Sequence, residues 1–350
     1  MGPTDRRIYR DPVFLVPQAA AGGVNLVSKS RFLVTGAQGF IGSWVIKNLV
    51  DMGHDVIAFD VDDQSVRLSL LLSPEKLKKI CFVRGDINDL RLIEKLLGEG
   101  AVSHVIHLAG LQTPSCRAKP ILGATVNVVG TLTIFEAVKA YKDQVKCVVY
   151  ASSGAVLGTD EQYGSHPIEG EAPRIPGTLY GVFKTTNEEC ARIYWQDEGI
   201  RSAGLRPPVV YGVGRDKGLT AGTTVAIKAA LLGQTYEIGF GGKANVEYAD
   251  DVAKCFVACA LKAPEGAPIY NMLGEILDVE DMIGVIEEIF PSARGKISCV
   301  KSINKMANDV SDAGLQSLIG PFRPASYSEG AKRTANFFRT LLGEGRLQPL

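Results

Sequence analysis

The amino-acid sequence predicts an α/β protein built on a doubly wound parallel sheet, with a smaller C-terminal lobe over the sheet edge. Three observations carry that prediction. From residue 31 onward, continuous apolar runs alternate with helical patterns, as expected of strands covered on both faces by crossover helices. The first run, Phe32-Leu-Val-Thr35, passes straight into three glycines spaced by three, Gly36, Gly39 and Gly42. The second, Val56-Ile-Ala-Phe-Asp60, ends in an acid 18 residues after Gly42.

Taken in order, the patterns place strands near 31–35, 55–60, 80–84, 103–108, 145–151 and 201–206, with helices near 40–52, 89–98, 121–142 and 179–198. After the first strand, Gly36 allows a sharp turn, Gly39 leaves room for a pyrophosphate against the backbone, and Gly42 lets helix and strand pack closely. The phosphates would then lie on the free N–H groups at the positive end of the helix. Asp60 would accept bonds from adenosine ribose hydroxyls and repel a 2′-phosphate, which favours NAD over NADP. This is the Rossmann-like arrangement.

At the close of the third strand, Asp86 and Ile87 could flank an adenine. At the close of the fourth, Leu108, Ala109 and Gly110 would let the backbone lie against the cofactor, and His107 reads as a satisfied structural histidine. Beyond Pro207 and Pro208 the alternation breaks up. A charged loop, Gly212 to Gly218, carries Arg215 and Lys217. Helices are expected near 223–232, 250–262, 279–289 and 328–342, with a short strand at 268–271. The expected organisation is a mobile leader over 1–28, a cofactor-binding domain over 29–206, and a mainly substrate-binding lobe over 207–350, interleaved with the sheet edge.

With 38 basic and 38 acidic residues among 350, the chain has no net charge to attract nucleic acid. No apolar run reads as approaching the roughly 20 residues of a membrane span. The seven cysteines are scattered, without a metal-binding pattern, and read as reduced thiols of a cytoplasmic protein. No metal site is expected.

Tyr180 and Lys184 stand at i and i+4 at the start of a helix, so they share a face. An ammonium beside a phenol favours the phenolate and makes a proton shuttle. Ser152 and Ser153 end the fifth strand, at the edge where ligands bind, and a hydroxyl there can hold a substrate oxygen. Gln112, Thr113, Arg215 and Lys217 remain as substrate contacts, with Arg215 or Lys217 suited to a carboxylate or phosphate.

Together with Asn127-Val-Val-Gly130-Thr131, Leu205-Arg206-Pro207, Val210-Tyr211-Gly212 and Tyr248-Ala-Asp-Asp251-Val-Ala253, these motifs resemble the extended short-chain dehydrogenase/reductase family of the NAD-dependent epimerase/dehydratase type. The resemblance spans residues 31 to about 340. It implies that Ser153 is the catalytic hydroxyl, Tyr180 the acid/base, and Lys184 a ligand of the nicotinamide ribose that tunes Tyr180. Phe40 and Ile41 would lie against the pyrophosphate. It further implies a homodimer through the helices at 121–142 and 179–198.

Departures from the family pattern narrow the reaction. Gly154 and Ala155 stand where the dehydratases carry an Asp-Glu pair and the 3,5-epimerases a cysteine. Val209 and Ala244 stand where nucleotide-sugar 4-epimerases commonly carry a substrate-binding asparagine and arginine. The expected activity is therefore NAD-dependent oxidation of a secondary alcohol or hemiacetal of a sugar or sugar acid. The alternative is a sugar or nucleotide-sugar 4-epimerase using the same residues with tightly held NAD. A non-catalytic NAD sensor is disfavoured by the intact Ser/Tyr/Lys set.

Overall fold

The computed structural model describes residues 30–301 and 306–350; the N-terminal segment expected to be a mobile leader lies outside the described residues. Twelve strands are described: β1 (Arg31–Thr35), β2 (Asp55–Asp60), β3 (Cys81–Arg84), β4 (His104–His107), β5 (Val148–Ala151), β6 (Ser202–Arg206), β7 (Val209–Tyr211), β8 (Tyr236–Ile238), β9 (Lys243–Tyr248), β10 (Ile269–Asn271), β11 (Glu275–Asp278) and β12 (Ile297–Cys299). Seven of them form a parallel sheet in the order β10-β6-β5-β4-β1-β2-β3. The alternation of apolar runs with helices thus gives the doubly wound architecture that it predicts.

Two cores cover the two faces, because successive strand residues point to opposite sides. Phe32, Val34, Ala58 and Ile106 face one core. Leu33, Ile57, Phe59 and Val105 face the other. The first core is shared by the helices Phe40–Asp51, Ala249–Lys262 and Tyr327–Gly343, and the second by Leu90–Glu99 and Gly130–Lys139. The C-terminal third therefore returns to the main sheet twice, with β10 as its edge strand and Ala249–Lys262 on its face. It also contributes β7, β9 and β11 as a second sheet and β8 with β12 as a short pair.

Strand order reverses between β1 and β4. The chain leaves these neighbours toward opposite faces, which opens a crevice at their C-terminal ends. The loops Gly36–Gly42 and Leu108–Gly110 lie at that point.

The helix expected over 121–142 is broken into Pro120–Ala124, a π-helical turn Thr125–Val129, and Gly130–Lys139. The π turn frees backbone groups for side-chain partners, and the Asn127 carbonyl accepts from Thr131 Oγ1 at 2.7 Å and Asn187 Nδ2 at 2.9 Å. The same stretch corrects the expectation of no apolar run near membrane length. Pro120–Lys139 is 20 residues long and apolar enough to span by length and composition. Half of it is buried within the molecule.

Candidate active site

The site lies in a cleft of about 270 Å³ at the crevice between β1 and β4. One wall is the glycine loop. Gly36 has φ +67°, and a Cβ there would fall 2.6 Å from the Ala109 amide nitrogen. A Cβ on Gly42 would fall 2.2 Å from the Gly36 carbonyl oxygen. Neither position admits a side chain without moving backbone. The helix Phe40–Asp51 that follows has no side-chain cap and no acidic residue in its first turn, and Gly39, Phe40, Ile41 and Gly42 line the cleft. Its first N–H groups are thus free for a ligand anion. Asp60 closes the loop from behind by accepting from the Gln38 amide at 2.8 Å. These residues fit a dinucleotide: a cradle that a Cβ would fill, an uncapped helix start for phosphate, and a carboxylate at the ribose position.

The opposite wall is assembled from distant segments. Helix Leu179–Glu198 begins at Thr178, whose hydroxyl accepts from the Gly181 amide at 3.1 Å. A Cβ on Gly181 would fall 2.2 Å from the Ala155 carbonyl, so glycine is required for the helix start to press against the Ser153 turn. That contact brings Tyr180 to Ser153 across 27 residues of sequence. Ser152 and Ser153 part company: the Ser152 hydroxyl donates to Glu188 at 2.5 Å, whereas Ser153 lines the cleft beside Tyr180 and accepts from the nearby Ala155 amide at 3.1 Å.

Lys184 is buried and donates to the Ala151 carbonyl at 2.7 Å, with its nitrogen 5.7 Å from the centre of the Tyr180 ring. Burial pushes the Lys184 ammonium down to about 8. Tyr180 does not behave as the lysine argument alone predicts. Burial raises its phenol above the ordinary value; hydrogen bonding to Ser153 and the charge of Arg215 oppose the rise. Arg215 adds its charge to the surroundings of the phenol, beside the Lys184 ammonium over the ring.

His107 is satisfied structurally, as its position predicts. Its Nδ1 is 2.7 Å from Thr35 Oγ1 and its Nε2 is 3.1 Å from Thr131 Oγ1. Burial, then the charge of Lys184, hold the imidazole down at about 3, so it stays neutral.

Of the other predicted residues, Leu108, Gly110, Gln112, Thr113 and Arg215 line the cleft. Ala109 meets Gly36 through its backbone. Asp86 and Ile87 close β3 outside the cleft lining: Asp86 is turned to Asn88, and Ile87 is buried against Gly130. Lys217 is exposed and does not line the cleft, whereas Arg215 and Thr220 of the same loop line it, with the exposed Leu219 at its rim. Val209 lines the cleft and Ala244 is fully buried on β9. Pro207 and Val210, from two of the family motifs, also line it, as do Pro208, Leu219, Thr220 and Met306, which no spacing signal in the sequence marks.

Fold and site together define a dinucleotide-dependent enzyme of the extended short-chain dehydrogenase/reductase type. The model of the NAD-dependent epimerase/dehydratase family matches residues 32–272, and the chain belongs to that family, whose cofactor is NAD. It is 31% identical over 323 residues to a UDP-glucose 4-epimerase of Mycolicibacterium smegmatis, covering 88% of this chain and 98% of that protein. A UDP-glucose 4-epimerase of Thermus thermophilus, solved with NAD, superposes with a TM-score of 0.75 at 24% identity, over 88% of this chain and 99% of that one. A UDP-N-acetylglucosamine 4-epimerase of Methanobrevibacter ruminantium superposes with a TM-score of 0.77 at 22% identity, over 89% and 99%.

Proposed function

We propose that this chain is an NAD-dependent 4-epimerase of a nucleotide sugar, with a UDP-hexose as the first substrate to test. The observation that carries the reading is the full-length similarity to a UDP-glucose 4-epimerase. The comparisons favour this alternative over the net dehydrogenase expected from Val209 and Ala244, so the substrate's nucleotide would be held by other groups than the common asparagine and arginine. Gly154 and Ala155 beside Ser153 supply no acid or base for eliminating water, which argues against dehydration.

In this reading Ser153 orients the sugar's 4-hydroxyl, and Tyr180 takes its proton and later returns it. Bound NAD supplies the acceptor and donor of the hydride. Lys184 holds the nicotinamide ribose and keeps positive charge beside the phenol. Arg215 faces the same space with its guanidinium 5.6 Å from the Phe40 ring centre and its Nε buried without a protein partner. We assign it to an anionic group of the substrate. A second copy of the chain is the proposed partner: Ile121, Leu122, Val129, Leu179, Val182 and Ile193 leave an exposed apolar face on the two helices expected to dimerise. The proposed compartment is the cytoplasm.

The test is to incubate the purified protein with UDP-glucose or UDP-galactose, without added NAD, and follow the C4 configuration by proton NMR. Interconversion toward one equilibrium ratio from either side supports the proposal. Stoichiometric NADH formation with no inverted product refutes it and restores the dehydrogenase.

A further inference from the structure

Arg67 plays no part in the site described above, yet it makes a set of bonds that joins the two walls of the cleft. It lies on the short helix Val66–Leu71, just after Asp60. Its Nη1 donates to the Gln38 carbonyl at 3.0 Å, in the glycine loop. Its Nε donates to the Gly214 carbonyl at 2.9 Å, and its Nη2 pairs with Asp216 at 2.6 Å, both in the loop of the opposite wall. Trp44, on the helix after the glycine loop, adds a bond from Nε1 to the Val213 carbonyl at 2.9 Å. Between these ties Arg215 lies over Phe40. The segment 213–216 is therefore fastened to the glycine loop and its helix at one end of the cleft, next to Asp60.

We propose that Arg67 is a cofactor-retaining residue: it latches the 213–216 segment to the glycine loop, so that NAD leaves only when the latch opens. The inference rests on the 4-epimerase reading for its purpose, since an enzyme that removes and returns one hydride must keep its cofactor between the two steps. Its geometry stands apart from that reading. Opening the cleft at this end breaks three donor bonds of one guanidinium. The Asp216 partner is more than half exposed, at 57%, so its share of the latch weakens with salt, whereas the bonds to the Gln38 and Gly214 carbonyls do not depend on ion pairing.

The experiment reads NAD retention, independent of catalysis. Wild type, Arg67→Met and Asp216→Asn are loaded with radiolabelled NAD and chased with excess unlabelled NAD, and the release rate is followed by filtration. Melting temperatures are measured in parallel. Arg67→Met keeps the apolar stem and removes every donor; release faster than wild type by roughly tenfold or more is expected, with Asp216→Asn between the two. Raising salt should quicken release from wild type and leave Asp216→Asn unchanged. Equal release from wild type and Arg67→Met overturns the proposal, as does free release from wild type. Should Arg67→Met fail to fold, Asp216→Asn and the salt series decide: no difference between them and wild type overturns it. A folded protein that retains NAD through Arg67 but inverts no sugar would leave the latch standing and remove the epimerase reading.

Discussion

The two walls of the cleft are backed by buried polar networks of opposite kind. Behind the glycine loop and β4 the network is neutral: Thr35, His107, Thr131, Asn127 and Asn187 pass hydrogen bonds between hydroxyls, an uncharged imidazole and amides. Behind Ser152 and Ser153 the network is ionic. Glu188 accepts from both Nε and Nη2 of Arg206 at 2.8 Å, and from Nε of Arg174 at 3.0 Å, besides Ser152. Arg206 also donates to Gly170 and Asn271, so its guanidinium is consumed within the fold. The neutral network joins the neighbouring strands β1 and β4 to the π turn and the helix after it, and through Asn187 to the catalytic helix. The ionic one ties together β5, β6, β10 and the catalytic helix, which the chain brings from four separate places. A planar guanidinium with five fixed donors can hold several elements in one register, whereas hydroxyls, an imidazole and amides link their elements pair by pair.

The largest effect should come from the reacting group itself. Tyr180→Phe removes the proton carrier while leaving both networks intact, and turnover should fall by roughly 10²–10⁴-fold with an unchanged melting temperature. A retained rate would remove Tyr180 from the chemistry. Next, Glu188→Ala strands a buried Arg206, whose side chain is 1% exposed, and should cost roughly 3–5 kcal/mol in denaturant unfolding. A loss under about 1 kcal/mol would mean that the ionic network does not hold its wall.

On the other side, Gly42→Ala drives a methyl into the Gly36 carbonyl and should cost roughly 1–3 kcal/mol while weakening NAD binding. Unaltered affinity for NAD would show that the loop can shift at little cost.

The two networks should also separate by pH. Burial holds His107 down at about 3 and His104 at about 4, against an ordinary value of 6.5. A lowered folded value means the stability is complete above pH 6.5 and is lost as the unfolded chain takes up protons that the folded one refuses. The loss approaches about 1.4 kcal/mol per pH unit for each histidine, until the folded values are reached. Glu188, held low by Arg206 against its burial, adds a loss only below the ordinary carboxylate value of 4.5. Between pH 6.5 and 5 the histidines therefore lower the unfolding free energy as pH falls. Buried Glu247, held up at about 8, opposes them because only the folded chain keeps its proton there, and Glu188→Gln should share the wild-type slope. The smallest effect belongs to Lys217→Ala: its exposed side chain lies outside the cleft, and the Michaelis constant should not move.

Much of the first wall was legible in the sequence because its parts are neighbours along the chain. A strand and three glycines are fixed by local geometry, so their spacing alone marks Gly36, Gly39 and Gly42, and the family resemblance adds Phe40 and Ile41. The same holds for Tyr180 and Lys184, one helical turn apart. The second wall carries no such period. Arg215 faces the cleft and Lys217 does not, although both lie in one loop of like charge; the bonds of Arg67 to Gly214 and Asp216 decide between them. In the C-terminal third β10 falls in the run expected at 268–271, whereas β7, β8, β11 and β12, of three or four residues each, give too little pattern to read.

The sequence by itself determined the layered α/β fold, the glycine cradle and the Tyr180–Lys184 pair, because each follows from backbone freedom and side-chain spacing over a few residues. Only the tertiary structure decided what occupies Ser152, that Arg215 joins Lys184 beside the phenol, and what fastens the two walls together. Those outcomes depend on partners more than a dozen residues away in sequence, such as Glu188 for Ser152 and Gln38 and Gly214 for Arg67. Long-range pairing of that kind leaves no trace in local composition.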